Sequence, residues 1–104
     1  MSFIKELMIL EANARSGDYQ LYHDSYSSAI NTALNLARNK GYDIDEDEIF
    51  TKIGSGPRKP QPGATNNISL SLSKNERPSN EALHIQVYNR GQGNSPYELN
   101  AYIW

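Results

Sequence analysis

The chain has 104 residues, 10 Lys+Arg against 12 Asp+Glu and a formal net charge of -2, which suits one small domain with a single core. Cysteine is absent, which excludes a disulfide framework, a thiol nucleophile and a cysteine–zinc site, and the balanced charge excludes a strongly basic nucleic-acid binder. No apolar run approaches the ~20 residues of a membrane span, and Glu6 interrupts the N-terminal one, so composition predicts a soluble intracellular domain with no membrane partner.

The elements follow in chain order within one domain, 1–104. In the N-terminal segment 1–18, Ile4, Leu7 and Met8 can form the apolar side of a first helix, and Asn13, Ser16, Gly17 and Asp18 make a turn-prone break. Residues 19–53 are expected to be helical. Asp24 or Ser25 can cap a stripe of Tyr26, Ala29, Ile30, Ala33, Leu34 and Ala37, which Gly41 ends behind Arg38 and Lys40. A shorter helix should start at Asp45, with Glu48 reaching back to the cap and Ile49, Phe50 and Ile53 facing inward. Residues 54–66, with Pro57, Pro60 and Pro62, predict an extended, basic Pro/Gly loop.

Over 67–104 the period changes to two. Ile68, Leu70 and Leu72 alternate with serines; Leu83, Ile85 and Val87 alternate with His84, Gln86 and Tyr88; Leu99, Ala101 and Ile103 alternate with Glu98, Asn100, Tyr102 and Trp104. Lys74 to Glu81 and Gly91 to Pro96 read as connections. The expected architecture is α+β, with N-terminal helices packed on one face of a three-stranded antiparallel meander. The last strand, Tyr97 to Trp104, contains no proline and is expected at an open edge that would pair with a second copy.

Motifs for catalysis are weak. His23 and His84 belong to no nucleophile or metal pattern. Asp43, Asp45 and Asp47 have the spacing of an EF-hand start, but Glu48 stands where Gly is needed and Gly54 where the bidentate Glu is needed. Gly54-Ser55-Gly56 lacks the rest of a phosphate loop, and Asn67-Ile68-Ser69 matches a glycosylation sequon without a secretory signal. No cofactor, metal or enzymatic activity is expected.

Charge distribution says more than its sum. Asp24 to Thr51 carries a formal -4 and Lys52 to Arg90 a formal +4. Basic loops flanking a polar sheet face with aromatic rings are how single strands of nucleic acid are stacked and neutralised. The candidate residues are Arg58, Lys59 and Arg90 for phosphates, with His84, Tyr88, Tyr102 and Trp104 on the face. The same face also fits packing against the N-terminal segment or another subunit.

Gly-Pro-Arg-Lys-Pro at 56–60, Ala-Leu-His-Ile-Gln-Val-Tyr-Asn at 82–89 and Tyr-Glu-Leu-Asn-Ala-Tyr-Ile at 97–103 resemble small uncharacterised proteins of contractile-tailed phages, including those of marine cyanophages. The Met-led start, ending in Ile9-Leu10-Glu11-Ala12, resembles the capsid-targeting propeptide of phage head proteins. That resemblance implies prohead-protease cleavage between Glu11 and Ala12. It implies a non-enzymatic accessory or head-associated protein in the host cytoplasm or the virion with phage head proteins as partners, and the basic loops and aromatic face add single-stranded nucleic acid. The alternative is an oligomeric binding module that uses the C-terminal strand or the aromatic sheet face.

Overall fold

The computed structural model describes residues 19–54 and 59–104. In chain order it contains β1 (Tyr22–His23), α1 (Tyr26–Asn39), β2 (Asp43–Ile44), α2 (Glu46–Ile49), a π-helical turn (Phe50–Gly54), β3 (Thr65–Lys74), β4 (Arg77–Asn89) and β5 (Tyr97–Ile103). The strands form one antiparallel sheet in the order β1-β5-β4-β3-β2.

This corrects the expected three-stranded meander carrying N-terminal helices. Among the described residues the sheet has five strands, the two added ones inside the stretch 19–53 expected to be helical, and the helices are α1 and α2; the first helix expected from Ile4, Leu7 and Met8 lies outside the described residues. Two-residue strands show no alternation in a sequence. They exist because neighbouring strands supply their hydrogen-bond partners: Tyr22 pairs with Glu98 and His23 with Tyr97, while Asp43 pairs with Ser73 and Ile44 with Leu72.

The long helix α1 is dictated locally. Ser25, in extended conformation, accepts the Ser28 N–H with its hydroxyl at 3.1 Å, which satisfies one of the orphan amides of the first turn. At the other end Gly41 adopts φ +90°. The amides of Gly41 and Tyr42 turn back onto the carbonyls of Arg38 and Ala37, a left-handed stop that glycine adopts without penalty. Between the caps, Ala29, Ile30, Ala33, Leu34, Leu36 and Ala37 are buried against Ile68, Leu70, Leu72, Leu83, Ile85, Val87, Leu99 and Ala101. This layer covers one side of the sheet. The small alanines let the helix backbone approach the strands closely.

The shorter α2 starts at Asp45, whose carboxylate accepts the Asp47 N–H at 2.8 Å. Phe50 departs from the inward position expected for it and is 64% exposed. The chain passes there into a π-helical turn, which spaces its hydrogen bonds one residue wider than an α-helix and shifts the face each side chain takes.

Lys74 to Glu81 is likewise no open connection. Strands β3 and β4 meet in a tight hairpin whose central residues, Asn75 and Glu76, have φ of 53° and 63°, the left-handed pair that matches the twist of adjoining strands. Pro78 pairs with Ser73 beside a register shift at Ser71/Ser73. It sits where β4 extends past the end of β5, whose last backbone bonds join Trp104 to Ala82, so its missing N–H breaks no ladder between two partners.

Candidate functional site

The site is the side of the sheet opposite α1. Register sets its side chains in ranks across the strands. One rank runs Ser69, His84, Tyr102; the next Asn67, Gln86, Asn100; the third Thr65, Tyr88, Glu98, Tyr22.

In the first rank the His84 and Tyr102 rings stack on each other, with centroids 5.0 Å apart and planes 20° from parallel. His84 Nδ1 shares a 3.0 Å hydrogen bond with the Ser69 hydroxyl. In the second rank the Asn100 amide donates to Gln86 Oε1 at 3.0 Å, which spends one acceptor and leaves the Gln86 amide hydrogens directed elsewhere. Tyr19 reaches this rank from outside the sheet: its hydroxyl accepts the Ala101 N–H at 3.1 Å and donates to Asn100 Oδ1 at 3.5 Å.

The third rank holds a carboxylate between two tyrosines. Tyr22 and Tyr88 are 42% and 38% exposed, and half-buried Glu98 lies between them on the central strand of the three. A cavity of about 400 Å³ opens here, lined by Tyr22, Tyr88, Glu98, Gln86, Asn100 and Thr65, with Leu21 and Leu99. That volume falls in the range of small-ligand sites. The Arg90 guanidinium lies over the Tyr22 ring, 4.5 Å from its centroid, and donates to the Ser95 carbonyl at 2.6 Å.

Tyr22 is held in place by His23. The His23 ring is 1% exposed, with Nε2 2.8 Å from the Gln20 carbonyl and Nδ1 2.7 Å from the Ser28 hydroxyl. A carbonyl only accepts, so Nε2 donates to Gln20, and in the neutral ring Nδ1 then accepts from the Ser28 hydroxyl. The ring thereby ties β1 to the first turn of α1 and fixes Tyr22 on the opposite face.

The residues expected to act together on nucleic acid are divided by the fold. His84, Tyr88, Tyr102 and Arg90 are on or beside the ranked face, and Trp104 follows β5, 48% exposed, with its backbone paired to Ala82. Lys59 instead lines a second cavity, about 660 Å³, with Asp24, Ser25, Tyr26, Ser27, Gln61 and Tyr97 beside the start of α1. Buried Asn89 anchors that loop by donating to the Pro60 carbonyl at 2.9 Å. Arg58 and the Glu11–Ala12 bond lie outside the described residues. Tyr22, Glu98, Gln86, Asn100, Thr65 and His23 belong to the site or its support without any motif to announce them. The alternation of β4 and β5 alone points three of them, Gln86, Glu98 and Asn100, to one face.

The open edge expected for the last strand is absent at its start. Strand β5 has β1 beside it, the Leu99 N–H donates to the Leu21 carbonyl at 2.7 Å, and the Tyr19 hydroxyl takes the Ala101 N–H. On the far side, β3 beyond the reach of β2 is occupied by side chains. The Ser71 N–H donates to Glu48 at 2.7 Å and Lys52 donates to the Ser69 carbonyl at 2.7 Å, while Lys52 and Glu48 pair at 3.3 Å. Covering both flanks this way discourages strand addition.

Near the hairpin, Tyr42 donates its hydroxyl proton to Glu81 and lies under the Lys74 ammonium, 4.7 Å from the ring centroid. The hydrogen bond to Glu81, then desolvation and the Glu81 charge, raise the Tyr42 pKa above its ordinary 10.0. Among the described residues no cluster of three or more His, Asp or Glu could hold a metal ion, and no helix is long and apolar enough to cross a membrane. Compared with protein-family models, curated proteins and solved structures, the chain matches none.

Proposed function

We propose that this chain is a non-enzymatic accessory protein of the phage type, acting as a binding module whose recognition surface is the ranked face of the sheet. The phage affiliation rests on the sequence resemblance, two stretches of which, 82–89 and 97–103, coincide with β4 and β5. The binding role rests on one observation. One side of the sheet is sealed by α1, while the other presents Tyr22, Tyr88, His84, Tyr102 and an amide rank around a cavity. Aromatic rings with few charges are the composition of contact surfaces. Because β5 is already paired along Tyr97 to Ala101 and β3 along Ser69 to Ser71, the face, more than the C-terminal strand, is the surface for a second copy or a partner.

A second reading, contact with single-stranded nucleic acid, is favoured by Arg90 beside the tyrosines and opposed by Glu98 among them. The stacked His84 and Tyr102 also spend one face of each ring on each other, which leaves less surface for a base.

Amide chemical-shift mapping tests both readings, with self-dilution of the protein and titration by mixed-sequence single-stranded DNA and RNA at low salt. The expected result is perturbation on the outward residues of β3, β4 and β5 with at least one of these. Shifts confined to the α1 side, or none with any probe, would overturn the assignment of the face.

A further inference from the structure

We propose that the cavity between Tyr22 and Tyr88 is a site for an alkylammonium group, with Glu98 as its counter-charge. The inference deepens the binding role of the same face and rests on it.

Three observations converge. First, among the described residues Glu98 is the one formal charge in the cavity lining, and Arg90 sits at its border over the Tyr22 ring, so the lining itself is complementary to a cation. Second, that charge is unanswered. Glu98 forms no hydrogen bond or ion pair with any described residue, although Arg90 lies over the ring of its neighbour Tyr22. The Arg90 guanidinium is committed to the Tyr22 ring and the Ser95 carbonyl. A half-buried carboxylate with a cation nearby and no bond to it is poorly used for stability, since surface pairing would be available at small cost. Third, the carboxylate is flanked in register by tyrosines, Tyr22 on one neighbouring strand and Tyr88 on the other. Aromatic rings attract a cation over their faces, and methylated or alkylated ammonium groups are the ions that such rings desolvate most readily. The Arg90–Tyr22 contact is an internal instance of that attraction at this cavity. Tyr88 has no ring partner among the described residues and supplies the face that remains.

The remaining lining suits the rest of such a ligand. Leu21 and the Thr65 methyl accept methylenes, and the Gln86 amide can donate to a carbonyl on the ligand chain. A phosphate or carboxylate ligand would instead meet Glu98 directly and is excluded by like charge.

The test is titration of the isotope-labelled full chain with tetramethylammonium chloride, against tert-butanol as a neutral probe of similar size and sodium chloride as the salt control. Capped lysine serves as the chain-borne ammonium. The expected result is saturable shifts at Tyr22, Tyr88, Glu98 and Asn100 with the ammonium probes alone, and the tighter of the two identifies a free or a peptide-borne source. Glu98→Gln should weaken them by about tenfold or more, the change that one lost charge interaction commonly produces, and Tyr88→Leu should weaken them with the fold intact by its amide spectrum. Equal response to tert-butanol, no response to either ammonium, or unchanged affinity in Glu98→Gln would overturn the site. If oligonucleotide or self-dilution shifts persist on the face in that case, only the ligand class falls. If no probe moves the face, the binding role falls with it.

Discussion

Replacing His23 by alanine should destabilise the whole domain and release Tyr22 from the ranked face. The ring is 1% exposed and makes hydrogen bonds of 2.8 Å to the Gln20 carbonyl and 2.7 Å to the Ser28 hydroxyl. Each bond contributes roughly 0.5–1.5 kcal/mol net, and the lost packing of a mid-sized buried side chain adds about 1.5–3 kcal/mol. Together these give about 3–5 kcal/mol, a large share of the ~5–15 kcal/mol that holds a typical domain. A domain of this size loses roughly 4–5 °C of Tm per kcal/mol, so the expected fall is ~12–25 °C. Urea denaturation followed by circular dichroism measures the free energy directly. Ser28→Ala is the milder companion. It deletes the donor to Nδ1 but keeps the ring, and should cost about 1–2 kcal/mol. A loss under ~1 kcal/mol for His23→Ala would refute the argument, because it would mean that neither the bonds nor the packing of β1 contributes as the geometry requires.

The Tyr42 phenol should titrate above its ordinary 10.0 because it donates to Glu81. The ultraviolet difference titration between the native chain and Tyr42→Phe isolates that step, and Glu81→Gln should lower it. A raised pKa in the folded state means the contact stabilises fully below the ordinary value and is lost as pH rises through the raised one. The sign is reversed if stability at this site grows with alkaline pH. Gly41→Ala should cost about 1–2 kcal/mol in thermal or urea unfolding, since φ of +90° penalises any Cβ. An unchanged midpoint would show that the α1 stop does not need the left-handed residue.

Legibility followed the length of each element. The stripe from Tyr26 to Ala37 spans more than three turns, so its period stands out, and Ser25 and Gly41 mark its ends by residue type alone. The alternating runs of β3, β4 and β5 are equally readable because one side of each is buried under α1. What sequence patterns miss are β1 and β2. Two residues carry no period, and Tyr22 and Asp43 become strand residues only because Glu98 and Ser73 arrive beside them. The inward assignment of Phe50 fails for a related reason. It assumes α-helical spacing through Gly54, and the chain there takes the wider π-helical turn.

The site depends on a further level, the register between strands. Alternation says that Tyr88 and Glu98 face the same way as His84 and Tyr102. The Asn75–Glu76 turn and the Ser71/Ser73 shift set β3 against β4, and the 90–96 connection, where the Arg90 N–H donates to the Pro96 carbonyl, sets Tyr88 abreast of Glu98 and His84 abreast of Tyr102. Linear charge is misleading for the opposite reason. The formal +4 of Lys52 to Arg90 suggests a basic patch beside the aromatic face, but long cationic side chains find partners close at hand. Lys52 pairs with Glu48 and a β3 carbonyl, Lys74 lies over Tyr42, Arg90 lies over Tyr22, and Lys59 stands beside α1. Folding disperses a positive segment into separate local contacts, and on the face itself the charge left unanswered is the negative one, Glu98. The charge a ligand meets in the cavity is therefore set by which side chains the strands bring abreast, Glu98 between Tyr22 and Tyr88, and not by the sum along the chain.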